Sequence, residues 1–468
     1  MRANILHKRS LGIGTVAILL IILNATMALA VDPGTIPADM ASAPVPDYST
    51  LSINPVITET GKISLSVDGL GTIASTGVIQ AEKPAGATVR KAYMAAASMG
   101  TSYRVLANGD VKIDGADVIW DTAKTTPCSP VAGLRCSNHW ADVTSIVKSK
   151  IDAAPAGRVD FAITEVGTSG IDGEILAVIF DDPSQTNDNT VVLLFGAQSV
   201  TGDNFAIALA NPINKADPNL KLDMSLGISF GYQPSSQDSQ VDVNGIRMTS
   251  SAGGQDDGAG ANGALLTVGG LDDSDANPPN PLARGDQFSC PRCDDELYNL
   301  LPFVNNGDTS INVNTKNPSG DDNVFFAALN LRSTTAVVGE GILLAPLASV
   351  NFVGEHHTVT ATVQDANGNP IVGRDVTFTI ISGPHAGQTG TAATDASGKA
   401  TFTYTGTSVG TDVIEASFVN SQKQTITSNR VTKEWKPQQN NIPEFPSIVL
   451  PVAGALGIML LFYRGRER

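Results

Sequence analysis

The sequence predicts an all-β protein. A large β-sandwich or jelly-roll-like domain comes first and a smaller β-sandwich follows, with a signal peptide at the N-terminus and a transmembrane helix at the C-terminus. Three observations carry this. Strand-length runs, some alternating and some continuously apolar, recur along the chain between turn residues, with 45 Gly and 26 Pro. Only residues 142–151 place internal apolar side chains (Val143, Ile146, Val147) at helical spacing. Long uncharged segments occur at the two ends.

Composition bounds the function. At 468 residues the chain is long enough for about three domains. Hydrophobic residues make up 42%, so it can bury real cores and is not disordered throughout. Lys and Arg total 30 against 46 Asp and Glu, a net charge of -16, and charged residues are only 16%. No basic face exists to neutralise phosphates, which argues against nucleic-acid binding. An acidic exterior keeps such a chain soluble.

At the N-terminus Arg2, Lys8 and Arg9 precede an uncharged run over 11–30 that ends in Ala28-Leu29-Ala30. Residues 1–30 therefore read as a signal peptide, cut by signal peptidase after Ala30; the rival is an uncleaved anchor helix. Residues 446–463 carry no charge. As a helix they would cover about 27 Å, close to the hydrocarbon thickness, and read as a transmembrane helix. The tail 464–468, with Arg464, Arg466 and Arg468, is basic and belongs on the cytoplasmic side. The chain between the two ends then lies outside the cell.

Pro443, Glu444 and Phe445 stand just before the C-terminal segment. Motif, apolar helix and Arg cluster in this order resemble the PEF-CTERM sorting signal of archaeal surface proteins. The resemblance implies recognition by an archaeosortase, a membrane-embedded cysteine transpeptidase. That enzyme would remove the helix and transfer the chain to a lipid or another acceptor.

Residues 31–56, with Pro33, Pro37, Pro44, Pro46 and Pro55, read as an extended leader. Residues 57–338 form the large β-rich domain. The segment 62–67 alternates like a half-buried strand, and Asn108-Gly109 between apolar runs signals a hairpin. The runs 175–180 and 191–195 are continuously apolar, so they predict strands buried on both faces; 158–163 is a further strand. Trp140-Ala-Asp-Val, the stretch from Gly173 to Pro183, Asp294-Asp-Glu-Leu-Tyr and Asp321-Asp-Asn-Val-Phe-Phe make this region similar to a domain of secreted prokaryotic surface proteins. That likeness implies location and no chemistry.

Residues 344–432 alternate at 358–363, 375–380, 400–404 and 412–418, with turns at 365–370 and 394–398. This spacing fits an immunoglobulin-like sandwich. The segment resembles the bacterial Ig-like group 1 domain of intimin and invasin-type adhesins, which implies a rigid spacer. Residues 433–445 read as a polar stalk.

Candidate sites are few. Cys128, Cys136, Cys290 and Cys293 are an even set in an exported chain, which points to disulfides. A tetrathiolate zinc site and a redox pair stay open, though Cys290-Pro-Arg-Cys293 lacks a thioredoxin-like context. Asp272, Asp273, Asp275, Asn277, Asp294, Asp295 and Glu296 are oxygen donors in Gly-rich loops. They suit Ca²⁺, which takes about six to eight oxygens, or form a solvated acidic loop. Pro278 and Arg284 break any EF-hand register. His139 is expected in a loop near Cys136, and His356 and His357 face opposite ways if they lie in a strand. No Gly-x-Ser-x-Gly or His-Glu-x-x-His occurs, so no catalytic residue is assigned and the chain is read as a non-enzyme.

Together with these observations, the resemblance implies an exported archaeal surface protein of structural or adhesive role, partnered with the membrane and with a surface-coat protein or glycan. A Ca²⁺-dependent carbohydrate-binding module is the alternative, and a surface hydrolase using paired carboxylates is the third class.

Overall fold

The chain divides into two units, Met1–Asp47 and Tyr48–Arg468, and only the second is described below. The computed structural model describes residues 51–71, 74–100, 102–129, 134–167, 170–199, 201–229, 238–252, 266–284, 296–319, 322–421, 423, 425–438 and 449–464. The expected signal peptide, with Ala28 and Ala30, and most of the leader lie outside these residues.

Four stacked sheets form the large β region. The first holds Thr76–Lys83, Gly157–Glu165, Val111–Ile113 and Ala116–Asp117 in that order. The second holds Ile63–Leu70, Ile171–Asp181, Thr88–Gly100, Leu134–Asp142 and Thr122–Ser129. The third holds Ile53–Gly61, Asn189–Gly196, Asn323–Arg332, Lys221–Ser229 and Leu266–Val268, with Leu297–Asn299 also on Lys221–Ser229. The fourth holds Ile246–Thr249, Gln240–Val243, Ser310–Lys316, Asp203–Leu209 and Ala336–Val338.

Side-chain parity explains the stack. Along a strand, successive residues face opposite sides. Leu176, Val178 and Phe180 join Ile79, Phe161 and Ile163 in a core between the first and second sheets. Ile175, Ala177 and Ile179 join Val191, Leu193 and Phe195 between the second and third. Val192 and Leu194 then face Phe205, Ile207 and Val313 between the third and fourth. The two continuously apolar strands are thus buried on both faces, as expected. The expected two-layer sandwich is corrected to four layers, because neither central sheet has a polar face to show to water.

Smaller corrections follow from turn chemistry and pairing. The hairpin expected at Asn108-Gly109 forms one turn later. Asp114 (φ 49) and Gly115 (φ 83) are both left-handed and join Val111–Ile113 to Ala116–Asp117. Asp-Gly is itself a preferred type I′ pair. The end of the expected leader is already the edge strand Ile53–Gly61, whose register slips between Pro55 and Ile57. A proline is tolerated at such an edge bulge. The expected helix spans Thr144–Ala153 and buries Val147 and Ile151 in the first core.

The smaller sandwich follows the fourth sheet's last strand after two residues. Gly341–Ala345, His356–Gln364 and Lys399–Thr405 form one sheet. Ala348–Phe352, Val431–Lys436, Gly410–Val419, Asp375–Ser382 and Thr389–Ala393 form the other, with Thr425–Thr427 on Gly410–Val419. Val359, Ala361, Phe378, Ile414, Phe418 and Trp435 fill the space between them. The Asp365 and Asp395 carboxylates accept backbone N–H groups two and four residues on, which closes the two predicted turns. The expected stalk is corrected here. Val431–Lys436 is a strand with alternate residues buried, so Lys433 and Trp435 point inward.

The C-terminal apolar segment is helical over Val449–Arg464, 16 residues. At about 1.5 Å per residue the described part covers about 24 Å. No helix among the described residues is long and apolar enough to cross a membrane; residues 446–448 of the expected span lie outside the described residues.

Candidate functional site

The helix Val449–Arg464 is apolar on every described face. Leu456, Ile458, Met459, Leu460, Phe462 and Tyr463 are all more than half exposed, the last at 78%. A helix apolar all round normally requires protein or lipid around it. Arg464 ends the helix, while Pro443, Glu444, Phe445, Arg466 and Arg468 lie outside the described residues.

The predicted calcium donors are spread out and already engaged. Asp272 takes a two-pronged contact from Arg158 at 2.6 Å for each oxygen. Asp273 accepts the Gly270 N–H at 2.6 Å. Asp275 pairs with Lys221 at 2.9 Å. Asn277 clamps the Asn299 backbone, accepting its N–H at 2.9 Å and donating to its carbonyl at 2.8 Å. Glu296 is buried and accepts the Thr267 hydroxyl. Asp294 and Asp295 lie outside the described residues. Among the described residues no group of three or more His, Cys, Asp or Glu could hold a metal ion. Cys136 is buried and disulfide-bonded. The side chains of Cys128, Cys290 and Cys293 lie outside the described residues.

Sequence reasoning missed a pair of buried acids. Glu174 sits in one row of the second sheet with Ala96 and His139. Glu165 ends the first-sheet strand whose Val159, Phe161 and Ile163 fill the same core. Glu174 is fully buried and Glu165 is 3% exposed, and neither carboxylate has a hydrogen-bond partner among the described residues. Burial pushes Glu165 up to about 7, against the pull of Arg104. Burial and then the Glu165 charge hold Glu174 well above the carboxylate range. His139 is not the expected loop residue; it lies in the strand Leu134–Asp142, and its Nε2 accepts the Leu106 N–H at 2.8 Å. Burial lowers His139 to about 4. Strand parity alone would have placed Glu165 inside, since it shares the alternation of Val159, Phe161 and Ile163.

These groups give a signed pH dependence. The stability from Glu165 is complete below its ordinary value of 4.5 and is lost as pH rises through about 7. Glu174 extends that loss to higher pH. His139 acts oppositely: its contribution is present above 6.5 and is lost as pH falls through about 4. Thermal unfolding from about pH 5 to about pH 9 should therefore show falling stability, each acid contributing up to about 1.4 kcal/mol per pH unit while its two states differ. The double variant E165Q/E174Q should reduce the slope, leaving the share of Asp68, which burial also raises to about 7. An unchanged slope would contradict the assignment.

The Ig-like sandwich holds a second buried centre. Asp412, fully buried, accepts from Tyr404 Oη at 2.9 Å, Trp435 Nε1 at 2.8 Å, His385 Nδ1 at 2.7 Å and the His385 N–H at 3.0 Å. Thr407 Oγ1 lies 3.2 Å from His385 Nε2. Hydroxyl, imidazole and carboxylate are thus in the order of a nucleophile relay. However, the Nε2 lone pair already accepts the Thr407 N–H at 2.8 Å. It is not free to take a hydroxyl proton, so the centre locks structure. His357 is 7% exposed and His356 is exposed, on opposite faces of one strand.

Residues 354–432 match the family model of the bacterial Ig-like domain (group 1). Residues 442–466 match that of the PEF-CTERM archaeal protein sorting domain. Among solved structures, a protein described as membrane anchored from Corynebacterium diphtheriae is 10% identical, over 82% of this chain and 59% of that one, with a TM-score of 0.20. Escherichia coli alpha-2-macroglobulin activated by porcine elastase is 10% identical, over 81% of this chain and 35% of that one, with a TM-score of 0.17. The chain spans less than two thirds of either, and at these TM-scores neither likeness bears on fold or function. The sorting-domain match makes this a cell-surface, membrane-tethered protein.

Proposed function

We propose that this chain is exported through a signal peptide over residues 1–30 and displayed at the cell surface in a structural or adhesive role. The four-layer region is the displayed body, and the Ig-like sandwich is the spacer beneath it. An archaeosortase recognises Pro443, Glu444 and Phe445, removes the apolar helix and joins the chain to a membrane acceptor.

The observation that carries this reading is the exposed apolar helix inside the sorting-domain match at 442–466. The calcium-dependent glycan reading has less support, because four of its donors are already committed to Arg158, the Gly270 N–H, Lys221 and the Asn299 backbone. The hydrolase reading has less support too, because Glu165 and Glu174 are closed off from any substrate. A chain ended after Ile442 and expressed in the native host tests the tether. It should leave the membrane fraction and accumulate in the medium. Continued sedimentation with membranes would overturn the proposal.

A further inference from the structure

The first and last strands of the larger Ig-like sheet lie side by side. Ala348–Phe352 and Val431–Lys436 pair in parallel, with Ser349 opposite Lys433 and Asn351 opposite Trp435. Lys433 points into the sandwich and is fully buried. Its Nζ donates to Asn351 Oδ1 and lies 4.7 Å from the centre of the Trp435 ring. Among the described residues it makes no other hydrogen bond and no ion pair. A buried ammonium with one acceptor and one aromatic face is poorly compensated, which makes its neutral form easier to reach. Burial accordingly pulls the Lys433 ammonium below the usual lysine range, with Glu355 the charge acting against this.

Asn351 is held as an electrophile would be. Its Nδ2 donates to the His356 carbonyl at 2.9 Å, which turns its Oδ1 toward Lys433. The exposed Glu355 carboxylate accepts the Phe352 N–H at 2.9 Å, and its charge acts on Lys433. An amine in contact with an oriented carboxamide, with a carboxylate whose charge reaches the amine, supplies the parts of an amide exchange.

We propose that Lys433 and Asn351 join in an intramolecular amide bond between the last and first strands of this sheet. The Lys433 amine attacks Asn351 Cγ and a C–N bond forms. The amine proton passes through the Glu355 carboxylate to Nδ2. The Cγ–Nδ2 bond then breaks and ammonia leaves. Amine plus amide gives a new amide plus ammonia, so no oxidant, reductant or further reactant is needed. The link would tie the first strand of the larger sheet to the strand that leaves the sandwich, and a pull between body and membrane would bypass most of the sandwich core. This inference does not depend on how the C-terminus is processed.

Intact mass and peptide mapping of the reduced, purified full chain test it. The mass should fall short of the sequence mass by one ammonia, and digestion should release a branched peptide joining Asn351 to Lys433. K433M and N351A should each restore the full mass. N351D should lose one water instead, because an acid condensing with an amine expels water. Wild-type protein at full mass, or an ammonia loss mapped to other residues, would overturn the proposal.

Discussion

Replacing Asp412 with Ala is expected to unfold the Ig-like sandwich under conditions where the four-layer region stays folded. The carboxylate is fully buried and satisfies the Tyr404 hydroxyl, the Trp435 indole N–H and both donors of His385. Alanine would leave those donors in the core with no acceptor. Removing one partner from a buried charged network costs roughly 3–5 kcal/mol. That is a large share of the stability of a single domain. Asp412→Asn should cost less, since one acceptor oxygen remains, but its amide protons would face donors. Near-ultraviolet circular dichroism of Trp435 during urea unfolding reads the effect directly. An Asp412→Ala variant within about 0.5 kcal/mol of wild type would show that the network contributes little.

Much of this architecture was legible in the sequence, for identifiable reasons. The segments 175–180 and 191–195 have no polar residue to turn toward water, so burial on both faces follows from composition. The turns at Asp365 and Asp395 carry their own acceptors and need no tertiary context. What was hidden depended on which sheets pack together. Four layers arise only because two apolar sheets choose each other, and no local pattern encodes that choice. The polar run 433–445 reads as a stalk, yet strand parity places Lys433 on the inward face with Val431 and Trp435. Glu165 was overlooked in the same way. In both strands alternation decided the structure. Glu174 gave no such signal, since Asp172 breaks the apolar alternation on its own face.

Glu444→Ala and Phe445→Ala are expected to leave the apolar helix uncut. Each removes a side chain of the motif while leaving Val449–Arg464 intact, so export and folding should proceed and only processing should fail. In wild-type cells most of the chain should lack the helix, and in the variants nearly all should keep it. A permanent anchor would make the variants indistinguishable from wild type.

The most direct measurement is the intact mass of the mature wild-type protein taken from membranes of its native host. The sorting account predicts a chain that begins at Val31, ends near Pro443 and carries a lipid-sized addition. A mass running through to Arg468 with no addition would contradict it.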